Sequence, residues 1–410
     1  MNRIVHIAFS DDKGGAAIAA YRLHKAMLEY GLDSKMIVFE KYREDSEIST
    51  IYNNYLEGLC YKIKTYLFSD RGFVKEKGKG YFTKYNIGSF IKHNNIIKNA
   101  DIIILHWISR GMISINNIVY LLNTEKQVYW VMHDMYPFTG GCHHSYDCTK
   151  YENDCDLCMY KTACGKRSQK NLVKKEILKN YKNMHWIAPS NWLYKKASHS
   201  IVINPSNLYC IPNVISSNFF VLDKIESRKK IGLSIENKYI LFGADGVLAN
   251  PYKGLDLFVK MLNKMLENNI NSNDCVSVII FGSDDNKELI AKIPFPVYFA
   301  GVVRDEETMN LLYNSADVFV SCSMAENYPL TIQESTFCRT PVVAFDVGGI
   351  KDIIDSPSKG VLIQDFNIDI MADCVFDVLF RWGYKDNSVS SEKFRESIVN
   401  EYRSLFKYDN

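Results

Sequence analysis

Short apolar runs alternate with amphipathic stretches twice along the 410-residue chain. In the first half the runs are RIVHIAFS (3–10), SKMIVFE (34–40), ADIIILHWI (100–108), KQVYWVM (126–132) and NMHWIAP (183–189). Each is continuous and bounded by turn residues, as expected of a strand buried on both faces of a parallel sheet. Helices are predicted at 16–30, 115–123, 168–182 and 190–198. The second half repeats the scheme with KYILFG (238–243), CVSVIIFG (275–282), PVYFAG (296–301), ADVFVSCS (316–323) and PVVAFD (341–346). This alternation predicts an α/β protein of two Rossmann-like, doubly wound domains. A chain of this length also exceeds what one compact core serves. The domains are expected at 1–212 and 213–385, with a hinge in CIPNVISSNFF (210–220). A last helix in 386–410 is expected to pack back on the first domain.

The densest chemistry lies in MAENYPLTIQES (324–335), which sets Glu326 and Glu334 around a helix start. Asn327 and Tyr328 form a turn, and Pro329 suits the first helical position because its missing N–H costs nothing there. The leading amides, with Leu330 next in line, attract phosphate. Glu334 falls roughly 7–8 Å along the helix at 1.5 Å per residue. A diphosphate on the amides would leave Glu334 near a ribose and Glu326 near the group the diphosphate carries. Two glutamates bracketing an ordinary helix are the plain alternative. Against it stands ANPYKGLDLFVKML (249–262), in which Lys253 follows a strand and precedes a helix, at the sheet edge where open α/β folds bind ligands.

The first half offers its own candidates. Gly14 and Gly15 follow the first strand and open a helix, a turn that lets backbone approach an anion. His133 and Asp134 end the run KQVYWVM, and His106 ends its neighbour. His133 could orient a bound ligand or assist a hydroxyl group there. Adjacent residues on a strand point to opposite faces, so Asp134 does not make a dyad with it.

Composition narrows the classes. With 47% hydrophobic and 23% charged residues the chain reads as globular, and a net charge of +2 supplies no field for nucleic acid. No apolar run reaches the roughly 18–20 residues that span a bilayer. The N-terminus lacks a signal-peptide core, so a cytoplasmic location is expected. Five of the 11 cysteines (Cys142, Cys148, Cys155, Cys158 and Cys164) crowd into an insert at 142–164. In that compartment crowding favours structural zinc on Cys142, Cys148, Cys155 and Cys158, with disulfides and free thiols as the other readings. Residues 55–92 interleave lysine with aromatics (Lys62, Lys64, Tyr66, Phe68, Arg71, Lys75, Lys77, Lys79, Tyr81, Phe82 and Lys84). That mixture fits either a solvated loop or a peripheral contact with an anionic membrane face.

With these strings in view the chain resembles the retaining family-4 glycosyltransferases. The likeness rests on KGLDLF, GVVRDEETMNLLYNSADVFVSCSMAENYPLTIQES and PVVAFDVGG in the second half. In the first half it rests on KGGAAIAAYRLHKAML and HDMYPFTGGCHHSYDC, the latter similar to a subgroup that builds bacterial capsule, O-antigen and exopolysaccharide. The resemblance implies the GT-B fold, with two Rossmann-like domains facing an interdomain cleft. It also implies transfer of a hexose, without a catalytic metal, from a UDP- or GDP-sugar to a glycan or a lipid-diphosphate-linked acceptor. No cofactor is required for such catalysis. By position it gives Lys253 to the leaving diphosphate, Glu326 and the amides after it to the sugar and phosphates, and Glu334 to the ribose. The Gly14-Gly15 loop would face diphosphate and acceptor, and His133 would position the donor. Relatives usually carry an arginine beside the lysine. Tyr252 stands there instead, and Arg304 is the candidate substitute. A nucleotide-sugar epimerase and a non-catalytic GT-B partner protein are the competing functions.

Overall fold

The strands of this protein are mostly apolar on both faces, so each must be covered on two sides. In the computed structural model the described residues are 2–407, excluding 53, 69–81, 84–86, 89–90, 159–164, 244–245, 247–249, 269–274, 283–287, 289–290 and 384–388. The chain divides into two units, Met1–Val214 with Glu396–Asn410, and Ile215–Arg395.

Unit 1 is built on seven strands: β1 (Ile4–Ser10), β2 (Ser34–Glu40), β3 (Ile48–Thr50), β4 (Ile102–Leu105), β5 (Gln127–Val131), β6 (Met184–Ala188) and β7 (Leu208–Cys210). They pair in the order β3-β2-β1-β4-β5-β6-β7, all parallel. Val5, Ile7 and Phe9 enter the main core of the unit, while Ala8 packs with Ala20, Met36 and Val38 on the other face. The helix Gly15–Glu29 covers that second face. The C-terminal helix Ser391–Lys407 contributes Phe406, which meets Tyr129 of β5 at 5.2 Å between ring centroids.

Unit 2 has six strands: β8 (Lys238–Gly243), β9 (Val276–Phe281), β10 (Val297–Gly301), β11 (Val318–Ser321), β12 (Val342–Phe345) and β13 (Gly360–Ile363). Their order is β10-β9-β8-β11-β12-β13, again all parallel. Alternation within β8 is complete. Ile240 and Phe242 join the core under the helices Leu255–Asn268 and Ile368–Arg381, whereas Tyr239 and Leu241 join the core under Glu306–Ser315 and Leu330–Phe337.

Each sheet reverses direction once, between β1 and β4 in unit 1 and between β8 and β11 in unit 2. Loops leaving the carboxyl ends of strands on either side of a reversal go to opposite faces and open a crevice. Both reversals therefore mark places where a ligand can be held.

The longer predicted elements coincide with observed ones. Helix 168–182 is the exception in detail: it runs as an α-helix over Gly165–Glu176 and tightens to a 3-10 turn over Ile177–Asn180. The start of the lysine–aromatic stretch, read as either a loop or a membrane contact, is a helix, Tyr55–Phe68. Its Arg71, Lys75, Lys77, Lys79, Tyr81 and Lys84 lie outside the described residues. Among the described residues no helix is long and apolar enough to cross a membrane.

One buried ion pair ties unit 2 together. Arg228 donates to Asp317 Oδ2 at 2.6 Å and to the Ser315 carbonyl at 2.9 Å, and the same Asp317 oxygen accepts the Tyr239 amide at 2.8 Å. The two side chains are only 6% and 11% exposed. Lys224 also reaches Asp317, at Oδ1 and 2.9 Å, so removing Arg228 leaves the buried carboxylate with one cation of two, at a cost toward the lower end of the roughly 3–5 kcal/mol for breaking a buried pair. Arg228→Ala should therefore move the urea transition of unit 2 by about that amount, and an unchanged midpoint would contradict this reading.

Candidate donor-nucleotide site

In unit 2 the candidate residues gather at the sheet reversal. The segment after β8 turns through Pro251–Lys253, and the segment after β11 leads to Glu326. The two are tied by backbone, with the Met324 amide donating to the Tyr252 carbonyl at 2.8 Å. They are also tied by charge, since Lys253 Nζ reaches Glu326 Oε1 at 2.6 Å. These side chains are 20% and 12% exposed, so the pair sits at an opening and is not sealed in the core.

Two glycines make this closeness achievable. Gly254 has φ 75°, and a Cβ there would stand 1.9 Å from the Cys322 carbonyl oxygen. Gly348 has φ 62°, and its Cβ would stand 1.7 Å from the carbonyl oxygen of Glu326 itself. Only glycine combines left-handed backbone with so near an approach. Glu326 is thus held by Lys253 through its side chain and backed by Gly348 behind its main chain.

The helix that follows begins one residue later than predicted. Pro329 is its N-cap, with φ −69° and ψ 120°, and Leu330 is its first helical residue. Proline lacks a side-chain acceptor and cannot cap the helix. The first intrahelical bond is Gln333 N to Pro329 O at 3.2 Å, so the amides of Leu330, Thr331 and Ile332 precede the helical ladder. Asn327 is buried, and Tyr328 packs against the core below. Glu334 is the fifth residue of the helix, 6% exposed, and its Oε2 accepts the Tyr313 hydroxyl at 2.8 Å. Lys253, Glu326, the leading amides and Glu334 therefore share one end of one sheet.

Arg304 starts from a different strand. It is exposed and follows β10, the edge strand, which is two strands from β8 and three from β11. At about 4.8 Å per strand that is roughly 10–15 Å of lateral displacement. Tyr252 contributes its ring instead, with Lys253 Nζ 5.7 Å from the centroid.

In unit 1 the candidates also lie at the reversal, on β1, β4 and β5. Gly14 caps the helix Gly15–Glu29 with φ 90° and ψ 155°, and its carbonyl accepts Ala17 and Ile18 amides at 3.0 and 3.1 Å. His133 and Asp134 lie in the bend just past β5, and their side chains find separate partners. On one face His133 Nε2 meets His106 Nδ1 at 3.0 Å, and His106 Nε2 meets His6 Nδ1 at 3.0 Å. Burial pushes His133 down to about 4 and lowers His106 and His6 well below the ordinary imidazole range. On the other face Asp134 Oδ2 lies 2.6 Å from His143 Nδ1 and accepts Trp107 Nε1 at 3.0 Å, while its Oδ1 accepts the Tyr136 amide at 2.8 Å. Burial alone would raise Asp134, but His143 and the Tyr136 amide bring it below the ordinary carboxylate value. Lys175, which the sequence does not single out, lies beneath this segment, donating to the carbonyls of Tyr136 and Thr139, and burial lowers it to about 7.

Cys142, Cys148, Cys155 and Cys158 line one cavity of about 10 Å³ together with Lys150 and Tyr151. All four are free thiols. Among the described residues no three His, Cys, Asp or Glu side chains stand close enough to hold a metal, so the zinc expectation draws no support from this geometry. Cys164 lies outside the described residues.

The backing role of Gly348 is open to a direct test. Gly348→Ala places a methyl in left-handed backbone, which costs roughly 1–2 kcal/mol before the contact with Glu326 is counted. A lowered thermal midpoint is expected, with displacement of Glu326 from Lys253 in a crystal structure of the variant. A variant with unchanged melting and an intact 2.6 Å pair would refute the arrangement.

Residues 239–380 match the sequence profile described as "Glycosyl transferases group 1". An uncharacterized glycosyltransferase of Methanocaldococcus jannaschii is 31% identical over 177 residues, covering 42% of this chain and 43% of that protein. The chain spans about half the length, or less, of the first curated relatives it matches. Among solved structures, WaaG, a glycosyltransferase involved in lipopolysaccharide biosynthesis, aligns with a TM-score of 0.63 at 11% identity, over 98% of this chain and 94% of that one. Anabaena Alr3699/HepE in complex with UDP and glucose aligns with a TM-score of 0.60 at 15% identity, over 98% and 100%. The fold is GT-B, and the second unit carries the sequence pattern of the group 1 glycosyltransferases.

Proposed function

We propose that this protein is a retaining glycosyltransferase that takes a hexose from a nucleoside-diphosphate sugar. The observation that carries the reading is the convergence of Lys253, Glu326, the leading amides of Leu330–Phe337 and Glu334 at the reversal of the second sheet. A nucleoside diphosphate matches that order of groups. The ammonium of Lys253 and the amides face the two phosphates, and Glu334 accepts from the ribose hydroxyls, with its carboxylate oriented by Tyr313. Glu326, beside Lys253, accepts from hydroxyls of the sugar being transferred. Preorganised positive charge at a leaving diphosphate is the main catalytic demand of this chemistry, and Lys253 with the helix terminus supplies it without a metal.

A UDP-sugar is the favoured donor, in keeping with the fold likeness to a protein solved with UDP and glucose. The acceptor in this reading is a growing glycan or a lipid-diphosphate-linked sugar in bacterial surface-polysaccharide synthesis, in keeping with HDMYPFTGGCHHSYDC in the first unit. His133, held neutral by burial, acts in positioning.

The test is transfer from a panel of UDP- and GDP-sugars, read as nucleotide release and as product anomer. Wild-type protein should turn over one nucleotide class with retention. Glu326→Ala should lose about 10²–10³-fold, the range for removing one preorganised transition-state contact. Undiminished transfer by Glu326→Ala, or a product of inverted configuration, would refute the proposal.

A further inference from the structure

Parallel pairing puts three histidines on one face of the first sheet. His6 pairs with Ile104, and Ile104 with Tyr129, so His106 lies two residues and His133 four residues beyond the level of His6 toward the carboxyl ends. The result is a diagonal row across β1, β4 and β5, with ring centroids 5.3 Å apart and interplanar angles of 16° and 22°. His6 and His106 are 0% and 2% exposed, and His133, at the end of the row, is mostly buried.

A neutral imidazole carries one N–H, and each N···N hydrogen bond uses one proton. Both nitrogens of His106 are engaged, so the row can be polarised in only two ways. Pointing inward, it would leave a proton on His6 Nε2, which is buried with no hydrogen-bond partner among the described residues. Pointing outward, His6 Nδ1–H donates to His106 Nε2 and His106 Nδ1–H donates to His133 Nε2. The buried end is then an unpaired lone pair, and buried orphan N–H groups are the rarer of the two.

We propose that the row is polarised outward, that it fixes His133 as the Nδ1–H tautomer, and that His106 is the positioning residue that does so. His133 then presents a hydrogen-bond donor at the carboxyl end of β5 and is not a base at that nitrogen. The ligand groups it suits are oxygens: a sugar hydroxyl or a phosphate. This inference rests on the proposed glycosyl transfer for its consequence but not for its geometry. The charged and titratable groups around the row are Asp134 beside His133, which favours its protonated form, and His24 beside His6, which disfavours protonation there. His24 itself lies near Asp45 and Lys25. Burial outweighs them, so the row stays neutral from the ordinary imidazole value near 6.5 upward.

The experiment uses the full chain labelled with ¹⁵N-histidine, followed by NMR from pH 6 to 9, alongside transfer kinetics of two variants. Three Nδ1–H signals that do not titrate are expected for His6, His106 and His133. His106→Gln can still accept from His6 and donate to His133, and should keep kcat/KM within about threefold of wild type, whereas His106→Leu should lose roughly tenfold, the scale of one hydrogen bond. His106→Leu should also release the His133 tautomer, so that its ¹⁵N signals depart from the Nδ1–H pattern seen in wild type. An Nε2–H signal for His133, or equal losses in the two variants, overturns the proposal. Three Nδ1–H signals in a protein with no transfer activity would support the polarised row and overturn the proposed function instead.

Discussion

Much of this structure's chemistry depends on holding Lys253 2.6 Å from Glu326 at the reversal of the second sheet. The two residues are 73 positions apart in the chain, and they meet because β8 and β11 are neighbours whose loops leave the same sheet edge. Close packing does the rest. The Cys322 carbonyl fills the space beside Gly254, and the Glu326 carbonyl fills the space beside Gly348, so neither loop can withdraw without opening a gap or a clash. A pair set this way is a fixed electrostatic feature, which is what stabilising charge in a transition state asks for.

The first unit solves a different problem on each face of one strand end. On one side Asp134 is kept charged by His143, the Trp107 indole and the Tyr136 amide, and it organises the loop that follows β5. On the other, His6, His106 and His133 are kept neutral by burial and by one another. Neighbouring residues in sequence thus carry opposite electrostatic roles, since the bend past β5 gives them separate partners.

How much of this was legible in the sequence follows from the range of each interaction. Ten of the thirteen strands lie within continuous apolar runs, the four-residue β4, β11 and β12 among them, while the short β3, β7 and β13 lie in stretches with no such run. Lys253, Glu326 and Glu334 could be named because phosphate chemistry restricts which residues follow a strand and open a helix. Gly348, Tyr313 and Lys175 could not, since their roles exist only against a carbonyl or carboxylate brought from elsewhere in the chain. The histidine row needed the register of three strands. Arg304 has the right charge and follows the edge strand β10, a position that the sequence alone does not reveal. The cysteine spacing suggested a metal, and the fold brings four thiols around one cavity without drawing three of them into ligating range among the described residues.

The central claim is that the second unit grips a nucleoside diphosphate by its lysine and helix terminus. A crystal structure of the full chain with UDP tests it most directly. The account predicts phosphate oxygens within hydrogen-bond distance of Lys253 Nζ and the amides from Leu330 onward, with the ribose hydroxyls on Glu334. Nucleotide bound away from the β8–β11 reversal, or a ribose with no contact to Glu334, would contradict it.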